Sequence, residues 1–209
     1  LSREHWTLQN DLFFLNHGSY GACPKPVQRA QSQWRRHVEE QPIVFFTYTY
    51  QQALNDARAA AADFVGCPAG SMVFVPNATT GVNAVLRSWK LQPGDEVLVT
   101  NHGYLACNQA AAFVAKRAGA NLKVVDVPFP LPLNQEAAEQ QILDTIQAAI
   151  HKRTALAIID HITSPTGLVL PIERIVALLE GRGVPTLVDG AHGPGMMPLH
   201  LSELGASFY

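Results

Sequence analysis

Short apolar runs alternate along the chain with segments in which apolar residues recur at helical spacing. The runs have the length of strands, and they lie at 96–100, 122–127, 155–159 and 186–188. In the segment after residue 77, Val82, Val85, Leu86 and Trp89 recur at the spacing i, i+3, i+4, i+7, which is typical of one helix face. Strands that alternate with helices predict a mainly parallel sheet with helices on both faces, an α/β three-layer sandwich.

Other segments carry weaker signals. The apolar run 72–75, which ends at Pro76, predicts one more strand, and the Ala-rich segment 51–65 predicts a helix that ends at Gly66. The first fifty residues contain prolines, aromatic residues and a polar turn, and we expect them to be less regular.

Composition excludes several classes of protein. The 209 residues are 47% hydrophobic and 15% charged, which is typical of a folded globular chain. A formal net charge of −2 argues against nucleic acid or an anionic membrane as the main partner. The sequence shows no apolar run of membrane-spanning length. Three widely spaced cysteines, Cys23, Cys67 and Cys107, favour a reducing compartment, so we expect a cytoplasmic protein.

Polar residues and small residues follow four of the predicted strands. In a parallel sheet the ligand lies beyond the carboxyl ends of the strands, so these exits are the candidate site. They are the segments 77–80, 101–104, 160–167 and 189–192.

The first of these exits has the chemistry of an anion cradle. Ala78 and Thr79 begin a predicted helix, where small residues, free N–H groups and the helix dipole favour a phosphate. An ordinary helix cap, formed by Asn77 or a threonine, explains the same residues. The chain has neither a G-x-G-x-x-G nor a G-K-[ST] motif, so a dinucleotide or P-loop site is not indicated.

Four further side chains have a functional and a structural interpretation. Asp189, at the end of an apolar strand, can pair with a protonated heteroaromatic nitrogen or cap the next turn. His192 can face the same ligand or form a local hydrogen bond. Tyr104 can stack on a flat ligand or pack in the core. Ser164 can donate to a ligand oxygen or stabilise its own turn.

A metal site is the weaker alternative. Its ligands would be His102, His161 and His192, with Asp160 and Asp189. No H-x-x-x-H or C-x-x-C spacing supports them, so we predict no metal site. A metal-dependent hydrolase nevertheless stays an alternative function.

Five motifs together resemble the class V aminotransferase group of pyridoxal-phosphate (PLP) enzymes, which have fold type I. Within the group the likeness is to isopenicillin N epimerase-like proteins. The motifs occur in family order: LNHGSYG at 15–21, NATTGVN at 77–83, HGYLAC at 102–107, DHITSPTG at 160–167 and VDGAH at 188–192.

The resemblance implies a role for each matching position. Ala78 and Thr79 would bind the cofactor phosphate, and Tyr104 would stack on the pyridine ring. Ser164 and His192 would face the ring oxygen, and Asp189 would pair with the ring nitrogen. Such an acid keeps the nitrogen protonated, so that the ring accepts electrons from the substrate's alpha carbon. Substrate-side contacts would come from Asn16, His17 and Gly18.

The resemblance also implies an organisation. Residues 1–50 would form the N-terminal segment of the small domain, on the substrate side, and residues 51–209 the PLP-binding large domain, here incomplete at its C-terminus. The substrate would be an amino acid or a derivative of one, and the reaction an epimerisation, lyase reaction, transamination or desulfuration. Family members are usually homodimers.

The family's Schiff-base lysine has no counterpart in these motifs. The chain's lysines are Lys25, Lys90, Lys116, Lys123 and Lys152, and none has the expected sequence context. We therefore expect the catalytic lysine beyond Tyr209, and we expect the sequence to be an inactive N-terminal fragment. A non-catalytic protein that binds PLP or another phosphorylated ligand is the other alternative.

Overall fold

A computed structural model describes residues 3–209. The chain divides into two compact units, Leu1–Ala60 and Ala61–Tyr209. The helices, in chain order, are α1 (His17–Tyr20), α2 (Lys25–Glu40), α3 (Pro42–Val44), α4 (Tyr50–Val65), α5 (Ala78–Ser88), α6 (Leu105–Arg117), α7 (Gln135–Ala149), α8 (Ile172–Glu180) and α9 (Leu201–Leu204). The strands are β1 (Glu96–Thr100), β2 (Asn121–Val125), β3 (Thr154–Asp160) and β4 (Thr186–Asp189).

The first unit is more helical than its sequence predicts. We expected little regular structure before residue 50, and this was wrong for α2, which runs for 16 residues. None of its residues is buried, although Val27, Ala30, Trp34 and Val38 recur at helical spacing and could have predicted the helix. Pro26 in the first turn and the helix-forming residues behind it are further signals.

The second unit contains a four-stranded sheet. Its strand order is β2-β1-β3-β4, and every neighbouring pair is parallel. From β1 the chain crosses to β2 on one side, whereas β3 and β4 lie on the other side. The direction therefore reverses between β1 and β3, which is the position where open α/β sheets bind ligands.

Alternate residues of the buried strands separate two hydrophobic cores. On one face Val97, Val99, Leu156, Ile158 and Leu187 pack against α5 and α6. On the other face Leu98, Ala157, Ile159 and Val188 pack against α7 and α8. Helix, sheet and helix thus form three layers, which confirms the predicted fold class.

The apolar runs predicted four of the strands, and the fifth prediction was wrong. Residues 72–75 are not a strand, and Val73 and Phe74 are exposed by 77% and 53%. An apolar run becomes a strand only where another strand accepts its hydrogen bonds, and the described residues provide none there. The helix predicted at 51–65 is confirmed by α4, which is followed by Gly66 in a left-handed conformation.

Candidate cofactor site

Two buried carboxyl groups lie side by side at the carboxyl edge of the sheet. Asp160 ends β3, Asp189 ends β4, and the two are direct partners in the strand register. Paired residues of adjacent strands point to the same face, and alternation from Ile158 and Leu187 places both on the face covered by α5 and α6. Their exposed fractions are only 4% and 6%.

Asp189 is held by two donors. Its Oδ2 accepts a hydrogen bond from the thiol of Cys107 at 3.2 Å, and its Oδ1 accepts one from the backbone N–H of Ala191 at 3.1 Å. Cys107 belongs to α6 and Ala191 to the turn after β4. The carboxylate is therefore fixed between a helix and the turn of its own strand.

Asp160 has the more strongly perturbed acidity. Burial and then the charge of Asp189 raise the pKa of Asp160 to about 7, although the backbone N–H groups of Tyr104 and Ser164 act in the opposite direction. A carboxyl with this pKa retains its proton over much of the range in which an ordinary aspartate is ionised.

The Cys107 thiol stays protonated at neutral pH. Burial, followed by the charge of Asp189, raises the pKa of Cys107 to about 12, while a hydrogen bond from Thr79 acts in the other direction. Cys107 thereby connects the start of α5 to the end of β4. The hydroxyl of Thr79 is directed to sulfur, so a phosphate contact from this residue would use its backbone N–H.

The first turn of α5 is capped and open to solvent. Asn77 accepts hydrogen bonds from the backbone N–H of Thr80 at 2.8 Å and from its hydroxyl at 3.0 Å. Asn77 is therefore the cap of α5. The N–H groups of Ala78 and Thr79, which precede Thr80 in the same turn, have no acceptor within the helix and can bind an anion.

The other predicted cofactor residues surround the carboxyl pair. Tyr104 caps α6, and its side chain is 44% exposed at the edge of the sheet. Ser164 is exposed in the loop after β3, and its backbone N–H bonds to Asp160. His192 is partly buried in the turn that Gly190 and Gly193 close with a 2.9 Å hydrogen bond.

A buried histidine joins the exits of three strands. Nε2 of His102 lies 3.0 Å from the carbonyl of Val127, and Nδ1 lies 3.1 Å from the hydroxyl of Thr166. That hydroxyl lies 2.7 Å from the hydroxyl of Thr163, which accepts the N–H of Leu168. Since Val127 can only accept, His102 carries a proton on Nε2. Both its ring nitrogens are used by the protein.

Tyr209 closes the far side of the turn after β4. Phe208 bridges to Leu187, which brings Tyr209 beside that turn. The tyrosine hydroxyl lies 3.0 Å from Nδ1 of His161, and its ring contacts Gly190 so closely that a Cβ there would overlap it. Burial and then the charge of Asp189 raise the pKa of Tyr209 to about 12, so the phenol is neutral.

The predicted substrate residues belong to the first unit. Asn16 precedes α1, and Asn16, His17 and Gly18 are all exposed. The imidazole of His17 accepts the N–H of Ala22 at 3.3 Å and contacts the ring of Phe14 at 4.7 Å between centroids. These contacts account for the turn, and the substrate role of the three residues stays a prediction.

Residues 3–209 form neither a metal-ligand cluster nor a membrane-spanning helix. The side chains of histidine, cysteine, aspartate and glutamate form no group of three or more that is arranged to hold a metal ion. In the same range, no helix combines the length and the apolar character needed to cross a membrane.

The sequence assigns no individual cofactor role to two residues of the candidate site. Asp160 begins the strand exit 160–167 and is a candidate metal ligand, and Cys107 ends the motif at 102–107. Strand alternation could have found Asp160, because it has the parity of Leu156 and Ile158 and ends a buried run. Cys107 follows Tyr104 by three residues on a helix, which predicts that both face the same region.

The parallel sheet with helices on both faces is the fold of PLP-dependent enzymes of fold type I. The family model for aminotransferase class V matches residues 23–209. The chain therefore belongs to the class V aminotransferase family, whose members use PLP.

Several curated proteins are similar to the chain. A putative L-cysteine desulfhydrase 1 of Oryza sativa subsp. japonica is 34% identical over 93% of this chain and 42% of its own length. The isopenicillin N epimerase of Streptomyces clavuligerus is 32% identical over 93% of this chain and 48% of its own length. The chain thus spans about half the length of the curated relatives it matches.

Solved structures share the fold. A variant of the C-DES protein, with glycine covalently linked to its PLP cofactor, superposes with a TM-score of 0.87 at 24% identity, over 99% of this chain and 54% of that one. A complex of the cystine C–S lyase C-DES with its product cysteine persulfide gives 0.83 at 25% identity, over 92% and 51%.

Proposed function

We propose that this chain holds PLP by non-covalent contacts and belongs to an enzyme that breaks a bond at the alpha carbon of an amino-acid substrate. The observation that carries the proposal is the pair of buried carboxyl groups at the carboxyl edge of the sheet. Family membership and the names of the relatives, which include desulfhydrases and epimerases, support it.

The carboxyl pair fits the ring nitrogen of the cofactor. The ion pairs formed by residues 3–209 involve other carboxylates, so neither Asp160 nor Asp189 has a lysine or arginine partner there. Buried carboxyl groups without a cation are costly, and a protonated heteroaromatic nitrogen would supply the missing positive charge. When bound, the ring acts as an electron sink while that nitrogen stays protonated.

The remaining residues fit the rest of the cofactor. The N–H groups of Ala78 and Thr79 would bind the phosphate, aided by the dipole of α5. Tyr104 would stack on the ring, and Ser164 and His192 would hold its hydroxyl oxygen. Asn16, His17 and Gly18 are proposed to contribute on the substrate side.

No lysine of the second unit lies in the segments that follow β3 and β4 at this carboxyl edge. Lys90 follows α5, Lys116 lies in the last turn of α6, and Lys152 precedes β3, so these three lie at the opposite edge of the sheet. Lys123 lies on the edge strand β2. We therefore propose that the 209-residue chain binds the cofactor without turning over an amino acid. The Schiff-base lysine would be supplied from outside this sequence.

Assembly and location are proposed from weaker support. We propose a cytoplasmic homodimer, in accordance with the family resemblance. Phe13, Leu15 and Tyr20 are each about 90% exposed, which is costly for a surface that stays in water. Sedimentation equilibrium would test the dimer, and fractionation of source cells would test the location.

Binding of pyridoxamine 5′-phosphate, measured by isothermal titration calorimetry, is the direct test. This amine form of the cofactor cannot form imines with surface lysines, so it reports the non-covalent site alone. We expect saturable binding with one site per chain. Inorganic phosphate and unphosphorylated pyridoxamine serve as controls and should bind more weakly, because each lacks one end of the ligand. No binding of any of the three would contradict the proposal.

Binding of inorganic phosphate alone would favour the alternative of a general phosphorylated-ligand protein. The alternative of a metal-dependent hydrolase has no specific observation in its favour, since His102 uses both ring nitrogens within the protein.

A further inference from the structure

Asp189 is the acid proposed to pair with the ring nitrogen, whereas Asp160, which is equally buried and lies next to it, has no separate role in the proposed contacts. The two residues are register partners on adjacent parallel strands, whose backbones are about 4.8 Å apart. Both side chains project from the same face of the sheet. Two buried carboxyl groups at this separation do not readily ionise together, because each charge opposes the other.

We propose that Asp160 and Asp189 form one functional carboxyl pair in which Asp160 holds a proton while the site is empty and releases it when a cationic ring nitrogen binds. The inference rests on the proposed function, because it identifies the ligand as a protonated N-heteroaromatic ring. It assigns to Asp160 the position of a second acid at the nitrogen end of the cofactor.

The surroundings determine which member of the pair holds the proton. Asp189 receives two donors, from Cys107 and Ala191, which stabilise its ionised form. At Asp160, burial and then the charge of Asp189 raise the pKa to about 7.

Three titratable groups near the pair are neutral at neutral pH. The thiol of Cys107, on α6, and the phenol of Tyr209 both have a pKa of about 12. His161 follows Asp160 directly, and burial lowers its pKa, which favours its uncharged form. His192 is the other imidazole beside the pair, in the turn after β4. Cys107, Tyr209 and His161 supply no positive charge, and the proposal takes the cation from the ligand.

Carbon-detected NMR of the aspartate carboxyl groups would test the empty site. In the ligand-free chain we expect Asp160 to titrate near pH 7, well above an unperturbed aspartate, with the exposed Asp144 recorded in the same spectra as the reference signal. The variant Asp189→Asn should lower the titration midpoint of Asp160, because one source of repulsion is removed. A midpoint near 4 for Asp160 in the unmodified chain would overturn the inference, whether or not any variant folds.

Calorimetry with pyridoxamine 5′-phosphate in buffers of different ionisation enthalpy would test proton release. At pH 6 we expect the unmodified chain to release about half a proton or more beyond the amount released by Asp160→Asn, and at pH 8.5 we expect no difference. The comparison with Asp160→Asn subtracts protons lost by the ligand's own phosphate. Equal release from the two proteins at pH 6 would overturn the inference.

The two proposals fail in different ways. If the ligand does not bind, the proposed function fails and the carboxyl titration still shows whether the pair exists. If the ligand binds and Asp160 titrates near pH 4, the proposed PLP site is supported and the proposal that Asp160 holds a proton is refuted.

Discussion

At the carboxyl ends of β3 and β4 two carboxyl groups are buried and one of them accepts a hydrogen bond from Cys107, whereas the first turn of α5 is open to solvent. Asp160 and Asp189 are 4% and 6% exposed, while Asn77, Ala78 and Thr80 are exposed. The nitrogen end of the proposed cofactor therefore meets a preorganised, poorly hydrated surface, and the phosphate end meets a helix terminus in water. The first should determine which ring binds, and the second should contribute a more general attraction for anions.

The largest expected effect is on thiol chemistry, which reports the burial of the nitrogen end. Cys107 has a pKa of about 12, whereas Cys23 is exposed. Because the thiolate is the reactive form, Cys107 should react at least about a thousandfold more slowly than Cys23 at pH 8. A colorimetric thiol reagent would show two separate phases in a Cys67→Ser variant. Rates within a factor of ten would show that the nitrogen end is open.

The next largest effect is on cofactor affinity at the same end. Asp189→Asn removes the charge that faces the ring nitrogen and should weaken binding of pyridoxamine 5′-phosphate by about 10- to 100-fold. Calorimetry measures the affinity, and Asp144→Asn, on the exposed face of α7, is the matched control. An affinity within twofold of the unmodified chain would remove Asp189 from the proposed site.

A smaller effect concerns the stability of the turn after β4. Gly190→Ala places a methyl group against the ring of Tyr209 and should lower the free energy of unfolding by about 1–3 kcal/mol. Urea unfolding measures this value. Gly70→Ala is the control, since its Cβ would meet no atom within 4 Å. The loss should shrink when Tyr209→Ala is added, and a loss that persists would place the strain elsewhere.

The smallest effect is at the phosphate end. Asn77→Ala removes the cap of α5 and should cost about 1 kcal/mol of stability. Asn134 caps α7 with an equivalent bond to the N–H of Ala137 at 2.9 Å, so Asn134→Ala should cost a similar amount. Only Asn77→Ala should also weaken binding of pyridoxamine 5′-phosphate, by less than Asp189→Asn does. Equal affinities for the two cap variants would argue against a phosphate at α5.

Most of the sheet was predictable because three of its strands, β1, β3 and β4, are buried on both faces. Runs such as 155–159 must be apolar throughout to contact helices on either side, and this leaves a clear signal. The residues 72–75 carry the same signal without a pairing partner, and α2 forms without any buried face. Local sequence patterns therefore predicted an element correctly only where that element packs into the core.

Within the candidate site, the sequence predicted positions but not the connections between them. Asp189 was proposed because it ends an apolar strand and Tyr104 because it lies in the segment after one, and the cofactor roles of both stay predictions. The pairing of Asp160 with Asp189 depends on the strand register across 29 residues of sequence, and the bond from Cys107 to Asp189 depends on how α6 lies on the sheet. Neither is encoded in a local motif.

The hydrogen-bonded chain through His102 has a consequence for sequence change. His102 donates to Val127 and receives from Thr166, so it joins loops that follow β2, β1 and β3. A single replacement of His102 would remove one of the two donors to the carbonyl of Val127, whose other donor is Nδ2 of Asn101, and would leave the hydroxyl of Thr166 with Thr163 alone. The three loops would then lose the one side chain that joins them, so we expect a relative that lacks this histidine to show compensating changes at these positions.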